Sequence, residues 1–486
     1  MKFGIALLWV VPALLPAQQL AIAQYGSPVG NLTGITAGPD GAMWFTGYGL
    51  PAESVGRIDR AGATTTYPAT NANGVAGITT GPDGALWFAG GLYIGRITTA
   101  GVMTHYALPS GSIGASGITA GPDGALWFTE STNFQIGRIT TAGAITMFPV
   151  SNQNGFPSGI AAGPDGALWF TEWDGPGIGR ITTSGAVTTY PLPTANAYPS
   201  AIVRGPDGAL WFTEFGSGKI GRITTAGAIT EFPTTVENPQ GITPGADGAL
   251  WFTGSMNQIG RITTAGAIAG YPVPAAPNVN SQPAAIAAAP DGTLWFVEYG
   301  VSRIGEVVFP TAAFGADPAS GYYGSNLTFA GSGFASNEKV RIFRDGIGSA
   351  LLATGTADAG GSFTASASAP ESPYGPRTFL ALGETSGNLG AAGFSIEPRL
   401  VLNADSGMPG STATVAGYGF DWEPVSIYWG NPATLLGYAY AGVEGSFHGS
   451  ADLQFTVPRG AAAGANGIVV RGEFSGLVVR AAFTVR

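Results

Sequence analysis

Gly38-Pro39-Asp40-Gly41-Ala42-Met43-Trp44-Phe45 is a tight turn running into an apolar strand, and the chain says it seven times. Equivalents begin at Gly81, Gly121, Gly163, Gly205, Gly245 and Ala289, so the aspartate falls at 40, 83, 123, 165, 207, 247 and 291, a period of 40 to 44 residues. Pro presets φ, Asp bonds the neighbouring backbone and Gly relaxes the exit, which suits a type I turn. A second phrase follows each copy, from Val55-Gly56-Arg57-Ile58 to Ile259-Gly260-Arg261-Ile262; the seventh carries Glu306 in place of the arginine. A third closes the unit, as in Ala144-Ile145-Thr146-Met147-Phe148-Pro149. Each unit therefore holds four short strands, and that pattern at this period predicts an all-β chain built on a seven-bladed β-propeller.

The repeated tryptophans (44, 87, 127, 169, 211, 251, 295) and their phenylalanine neighbours are expected to fill the gaps between blades. The six repeated arginines are expected to make one structural bond in every blade. The last repeat ends at Val307-Val308-Phe309-Pro310 without a fourth strand, and Leu20-Ala21-Ile22-Ala23-Gln24-Tyr25 matches the missing phrase. The N-terminal strand should thus complete blade seven and leave no open sheet edge.

After Pro310 the period stops. Gly324-Ser325-Asn326-Leu327-Thr328-Phe329 returns as Gly410-Ser411-Thr412-Ala413-Thr414-Val415, and Gly361-Ser362-Phe363 as Gly445-Ser446-Phe447. Two copies of short alternating strands predict two immunoglobulin-like β-sandwich domains. The domains are expected at 18–310 (propeller), 311–397 and 398–486 (sandwiches), with protein or cell-surface contact the expected role of the last two.

Composition narrows the function. Gly (78) and Pro (35) make up about a quarter of 486 residues, yet 45% hydrophobic and 11% aromatic content is too apolar for a disordered chain. The net charge is −10, and lysine occurs only at positions 2, 219 and 339, which argues against a nucleic-acid partner. There is no cysteine, and histidine occurs only at 105 and 448. Lys2 precedes an apolar run from Phe3 to Leu15, the layout of a secretory signal, so residues 1–17 are expected to be removed and the protein exported to the periplasm, cell surface or medium. No later segment reads as a membrane helix, so no transmembrane helix is expected in the mature chain.

In an up-and-down blade, residues just before each first strand share a rim with those ending each second strand. The first set is Thr33, Ala76, Ser116, Ser158, Ser200, Gln240 and Ala284; the second includes Glu130, Glu172, Glu214 and Glu298. Four carboxylates near a central channel, joined by Trp173, Phe215 and Tyr299, form the best polar constellation in the chain. Acid beside aromatic suits a hard cation held by oxygen ligands and a cyclic or sugar-like ligand. Glu172 and Glu214 are the catalytic candidates; Glu130, Glu172, Glu214 and Glu298 are the metal candidates.

The phrases Gly-Pro-Asp-Gly-Ala-Leu-Trp-Phe-Thr-Glu, Ile-Gly-Arg-Ile-Thr and Ile-Thr-x-Tyr/Phe-Pro resemble the virginiamycin B (streptogramin B) lyase family over roughly residues 20 to 310. The resemblance implies a seven-bladed propeller that opens cyclic depsipeptides by elimination, using magnesium and a histidine base in a Pro-His-Gly/Ala-Ile context before a first strand. The matching sites here read Pro157-Ser158-Gly159-Ile160, Pro199-Ser200-Ala201-Ile202 and Pro239-Gln240-Gly241-Ile242. Ser, Thr and Gln cannot replace imidazole as a base near neutrality. Three functions stay open: an exported propeller binding a small-molecule, cyclic-peptide or glycan ligand, a divergent C–O lyase or metal-assisted hydrolase using a rim glutamate, and a purely structural role such as envelope or matrix scaffolding.

Overall fold

The structure, a computed structural model, describes residues 21–486 apart from 50–52, 61, 71–73, 113, 151–154, 276–278, 310, 346–350, 373–374, 421–422, 431–433, 442–445, 448–452, 474 and 476. Among the described residues every regular element is a β-strand, and no helix is long and apolar enough to cross a membrane. The expected signal segment 1–17 and His448 lie outside the described residues.

Up to Val308 the strands form seven four-stranded antiparallel sheets. Within each, the second strand is fully buried, as in Leu168–Glu172, while the fourth is half exposed, as in Val187–Pro191. The repeated tryptophan explains how the sheets pack. Trp169 lies on one face of its strand and packs against Ile202, Leu210 and Phe212 of the next sheet; Leu168 and Phe170, on the opposite face, pack against Trp127 and Ile136 of the preceding sheet. All seven tryptophans are 0–2% exposed.

The turn aspartate and the arginine form one staple in six sheets, as expected. In the fourth, Asp165 accepts from the Trp169 indole N–H at 3.1 Å and from Arg180 Nε at 2.7 Å. Partial burial opposes ionisation of these six aspartates, but the arginine and tryptophan donors outweigh it and hold each below the usual carboxylate range. In the seventh sheet Glu306 replaces the arginine, and it accepts from the Tyr25 hydroxyl at 2.8 Å. Asp291 pairs there with Arg60 of the first sheet.

Tyr25 belongs to the strand Ala21–Gly26, which pairs antiparallel with Arg303–Val308 and completes the seventh sheet, as the sequence predicts. The ring is thus closed by the two ends of the repeat region.

The remainder folds as two units with the same topology. In the first, three strands (Ala313–Asp317, Asn326–Ser332, Phe363–Ser368) face five (Ser320–Gly321, Leu389–Ile396, Gly375–Gly383, Lys339–Arg344, Leu351–Thr356) around Phe329, Phe363, Phe379 and Phe394. The second repeats that order around Phe420, Phe447, Phe455 and Phe483. The first unit docks on the closing strand: Leu380, Leu389 and Ala391 pack with Ala23 and Tyr25, and the Asp345 carbonyl accepts from Gln24 N–H at 2.5 Å.

Candidate functional site

A bulge in the first strand of each sheet builds the centre of the ring. Pro157 pairs with Glu172 and Ile160 with Phe170, so Ser158 and Gly159 drop out of the ladder. Thr171 takes over their bonding: its hydroxyl accepts from Gly159 N–H at 2.8 Å and donates to the Ser200 carbonyl of the next sheet at 2.6 Å. Thr129 bridges Gly117 N–H (2.8 Å) to the Ser158 carbonyl (2.7 Å), and Thr213 bridges Ala201 N–H (3.0 Å) to the Gln240 carbonyl (2.6 Å). These buried threonines satisfy backbone groups the bulge would otherwise orphan. Sequence reasoning passed over them, although Thr follows Trp-Phe in five of the seven copies.

The bulged residues surround an axial cavity of about 240 Å³. Its lining includes Thr33, Ser116, Ser158, Ser200, Gln240 and Ala284, six of the seven positions placed there from the sequence; Ala76 is not among them. The lining is hydroxyl, amide and small-residue surface, with no titratable side chain.

The glutamates end up elsewhere than on an open rim. Glu130, Glu172, Glu214 and Glu298 are all 0% exposed. Each closes a second strand at the end nearest the axial residues, as Glu172 does beside Pro157, but it points into the gap between sheets on the face of Leu168 and Phe170. The turn that follows decides its state. Glu130 accepts from the backbone N–H groups of Gly114 (3.2 Å), Thr132 (3.1 Å) and Asn133 (3.0 Å). After Glu172 the turn reads Asp174-Gly175-Pro176, and neither carboxylate oxygen meets a partner at hydrogen-bonding geometry. Burial pushes Glu172 up to about 7, an effect that the nearby Gly177 N–H offsets only in part.

Glu214 accepts from the Ser217 hydroxyl at 2.6 Å and leaves Oε1 unpartnered; burial raises it to about 7. Glu298 accepts from Gln24 Nε2 at 2.8 Å, leaves Oε2 unpartnered, and is raised by burial to about 6. The four do not fit a shared magnesium ion. They belong to four different sheets, three are partly or wholly committed to protein donors, and among the described residues no three of His, Asp and Glu stand together to hold a metal.

The connections at this end of the sheets carry aromatic side chains. Trp173 packs on Tyr198 (5.7 Å between centroids) and Phe215 (5.3 Å). Phe134 stacks on Phe156 at 5.3 Å, and the Tyr48 and Tyr299 hydroxyls bond at 2.7 Å. Trp173 and Tyr299 were expected at this end; Tyr48, Phe134, Phe156 and Tyr198 were not. Phe134 (φ 53°) and Tyr198 (φ 47°) are held in the left-handed region, which bulky residues avoid. Such strain clusters at ligand sites. His105 stands on the outermost strand Met103–Ala107, exposed and with its ring tilted against Tyr93, far from the axis.

The model of the virginiamycin B lyase family matches residues 18–238 and again 93–313, together more than half of the sequence. The chain belongs to the virginiamycin B lyase family. A streptogramin B lyase structure is 36% identical, with a TM-score of 0.56, over 60% of this chain and 97% of that one. Selenomethionine-substituted virginiamycin B lyase from Staphylococcus aureus is 38% identical, with a TM-score of 0.55, over 60% and 99%. A catalytically inactive histidine-to-alanine variant of that lyase with quinupristin gives the same values. A search of curated proteins returns no match. The family match covers the seven sheets and ends where the two C-terminal units begin.

Proposed function

We propose that this protein is an exported, seven-bladed member of the virginiamycin B lyase family that binds an apolar, ring-bearing ligand at the mouth of the axial channel without opening it. Two immunoglobulin-like sandwiches (311–397 and 398–486) follow the propeller (18–310), and the leader 1–17 directs export. The proposal rests on one observation: the positions where the family's imidazole would stand line the axial cavity as Thr33, Ser116, Ser158, Ser200, Gln240 and Ala284. Elimination needs a base that takes a proton near neutrality, and hydroxyl or amide groups do not. The Staphylococcus aureus relative is described as catalytically inactive once a histidine becomes alanine, and quinupristin still accompanies it. The aromatic turns around Trp173 supply the apolar contact that such a ligand needs.

Quinupristin is the probe. Titrated into the full chain, it should quench tryptophan fluorescence at micromolar concentration, and Trp173→Ala should weaken binding at least about tenfold. No binding by the unaltered protein, or equal binding by the variant, would remove the channel mouth from consideration.

One observation favours a second function. Glu172 is buried, unpartnered and raised to about 7, the properties of a carboxylate poised for proton transfer. Were bond breaking detected, Glu172→Gln should abolish it and leave quinupristin binding in place.

A further inference from the structure

The two C-terminal units are copies, so the same sheet face can be compared in two settings. In the first unit the outer face of the five-stranded sheet carries Phe343 beside Leu351 and Leu380, with Leu380 paired to Ala391. Phe343 and Leu380 are buried, and Leu380 packs with Tyr25 and Ala23 of the closing strand. That face is an apolar docking surface with its occupant in place.

The second unit repeats the register down to the bulge. Tyr428 takes the place of Phe343, pairing with Leu435 on one side and Val469 on the other, and Val469 pairs with Arg480. The neighbouring row runs Tyr438, Ser426, Arg471, Val478 where the first unit has Thr354, Arg341, Leu382, Leu389. This face is open: Tyr438 is 65% exposed, Leu435 43% and Val478 42%, and both arginines are exposed. Its acid, Glu473, accepts from the Ser426 hydroxyl.

Four exchanges change the chemistry of this face. Phe343 becomes Tyr428, Thr354 becomes Tyr438, Leu382 becomes Arg471 and Ala391 becomes Arg480, while Arg341 gives way to Ser426. Two of them add an aromatic hydroxyl and two an arginine, so the face gains one positive charge net in a chain whose net charge is −10. A face meant to close on another apolar protein surface would not put exposed arginines at the first unit's Leu382 and Ala391 positions. Tyrosine rings offer flat apolar faces to the C–H side of a sugar, and guanidinium forks grip carboxylates. At a strand spacing of about 4.8 Å, Tyr438 and Arg471 stand about 10 Å apart, the reach of neighbouring sugars.

We infer that the outer face of the second C-terminal unit, centred on Tyr428, Tyr438, Arg471 and Arg480, binds an anionic polysaccharide of the uronate type and so tethers the propeller to a carbohydrate matrix. The site is separate from the channel mouth and does not depend on the function proposed for it.

Affinity electrophoresis of the full chain in gels carrying polygalacturonate tests this. The unaltered protein should be retarded, and Arg471→Gln with Arg480→Gln, or Tyr438→Ala alone, should weaken retention at least tenfold without altering quinupristin binding. Retention should also fall as salt rises. Unchanged migration of the unaltered protein, equal retardation by neutral dextran, or full retention by the double arginine variant would overturn the inference. So would a concentration-dependent dimer, seen by light scattering and abolished by Tyr438→Ala, since the face would then belong to a second copy of the chain.

Discussion

Trp169→Ala should lower the free energy of unfolding by about 3–5 kcal/mol, the range for truncating a fully buried aromatic side chain. Trp169 is 0% exposed and fills the gap between its own sheet and the next, against Ile202, Leu210 and Phe212. Its ring stacks on Tyr190 at 5.3 Å, its indole N–H donates to Asp165, and the Arg180 guanidinium lies 5.8 Å from the ring. The substitution removes all of these contacts and leaves the cavity unfilled. It also strands Asp165 with one donor fewer. Trp173→Ala, four residues on, deletes a half-exposed ring and should cost less than about 1.5 kcal/mol. Urea denaturation of both variants checks the contrast: similar losses would mean that the repeated tryptophans are not the inter-sheet filling.

Raising the pH from 5 to 8 should lower Tm by at least about 5 °C. Glu172, Glu214 and Glu306 are held at about 7 and Glu298 at about 6, each raised chiefly by burial. A carboxyl whose folded pKa exceeds its unfolded value binds its proton more tightly in the native state. Its contribution is therefore full below about 4.5 and drains away as pH climbs through the folded value. The six stapled aspartates work in the opposite sense, since their lowered values stabilise the fold above the unfolded aspartate range and fail in acid. Stability should peak near pH 5. Glu172→Gln should flatten the alkaline limb, because an amide at that position titrates no proton. A Tm that rises from pH 5 to 8 would mean that these carboxylates are ionised and well solvated or paired.

What the sequence revealed depended on repetition. The Asp-Trp-Arg staple could be expected because one bond serves six sheets, and the closing strand because Ala21–Tyr25 supplies the phrase that the seventh repeat lacks. The axial ring was legible for the same reason: one register position, read seven times. The glutamates were misplaced as rim residues, although the alternation Leu168, Phe170, Glu172 already assigns them to the buried face. Whether each buried carboxylate finds donors depends on the turn after it, and those turns are where the repeats differ. Thr132 and Asn133 both donate to the Glu130 carboxylate, whereas in the turn after Glu172 the Gly175 N–H donates to the Glu172 main-chain carbonyl instead. Phe134 was missed because it sits in one of those turns, and Phe156 and Tyr198 because they sit in the equally irregular connections that lead into a first strand. Periodicity says nothing there.

Binding without ring opening is tested most directly by mass spectrometry with proton NMR of quinupristin incubated at neutral pH with purified protein and magnesium. The lactone should stay bound but intact, with neither the new alkene of elimination nor the added water of hydrolysis. A ring opened at unchanged mass would show that the axial hydroxyl and amide groups, or Glu172 beside them, do the work of the missing imidazole.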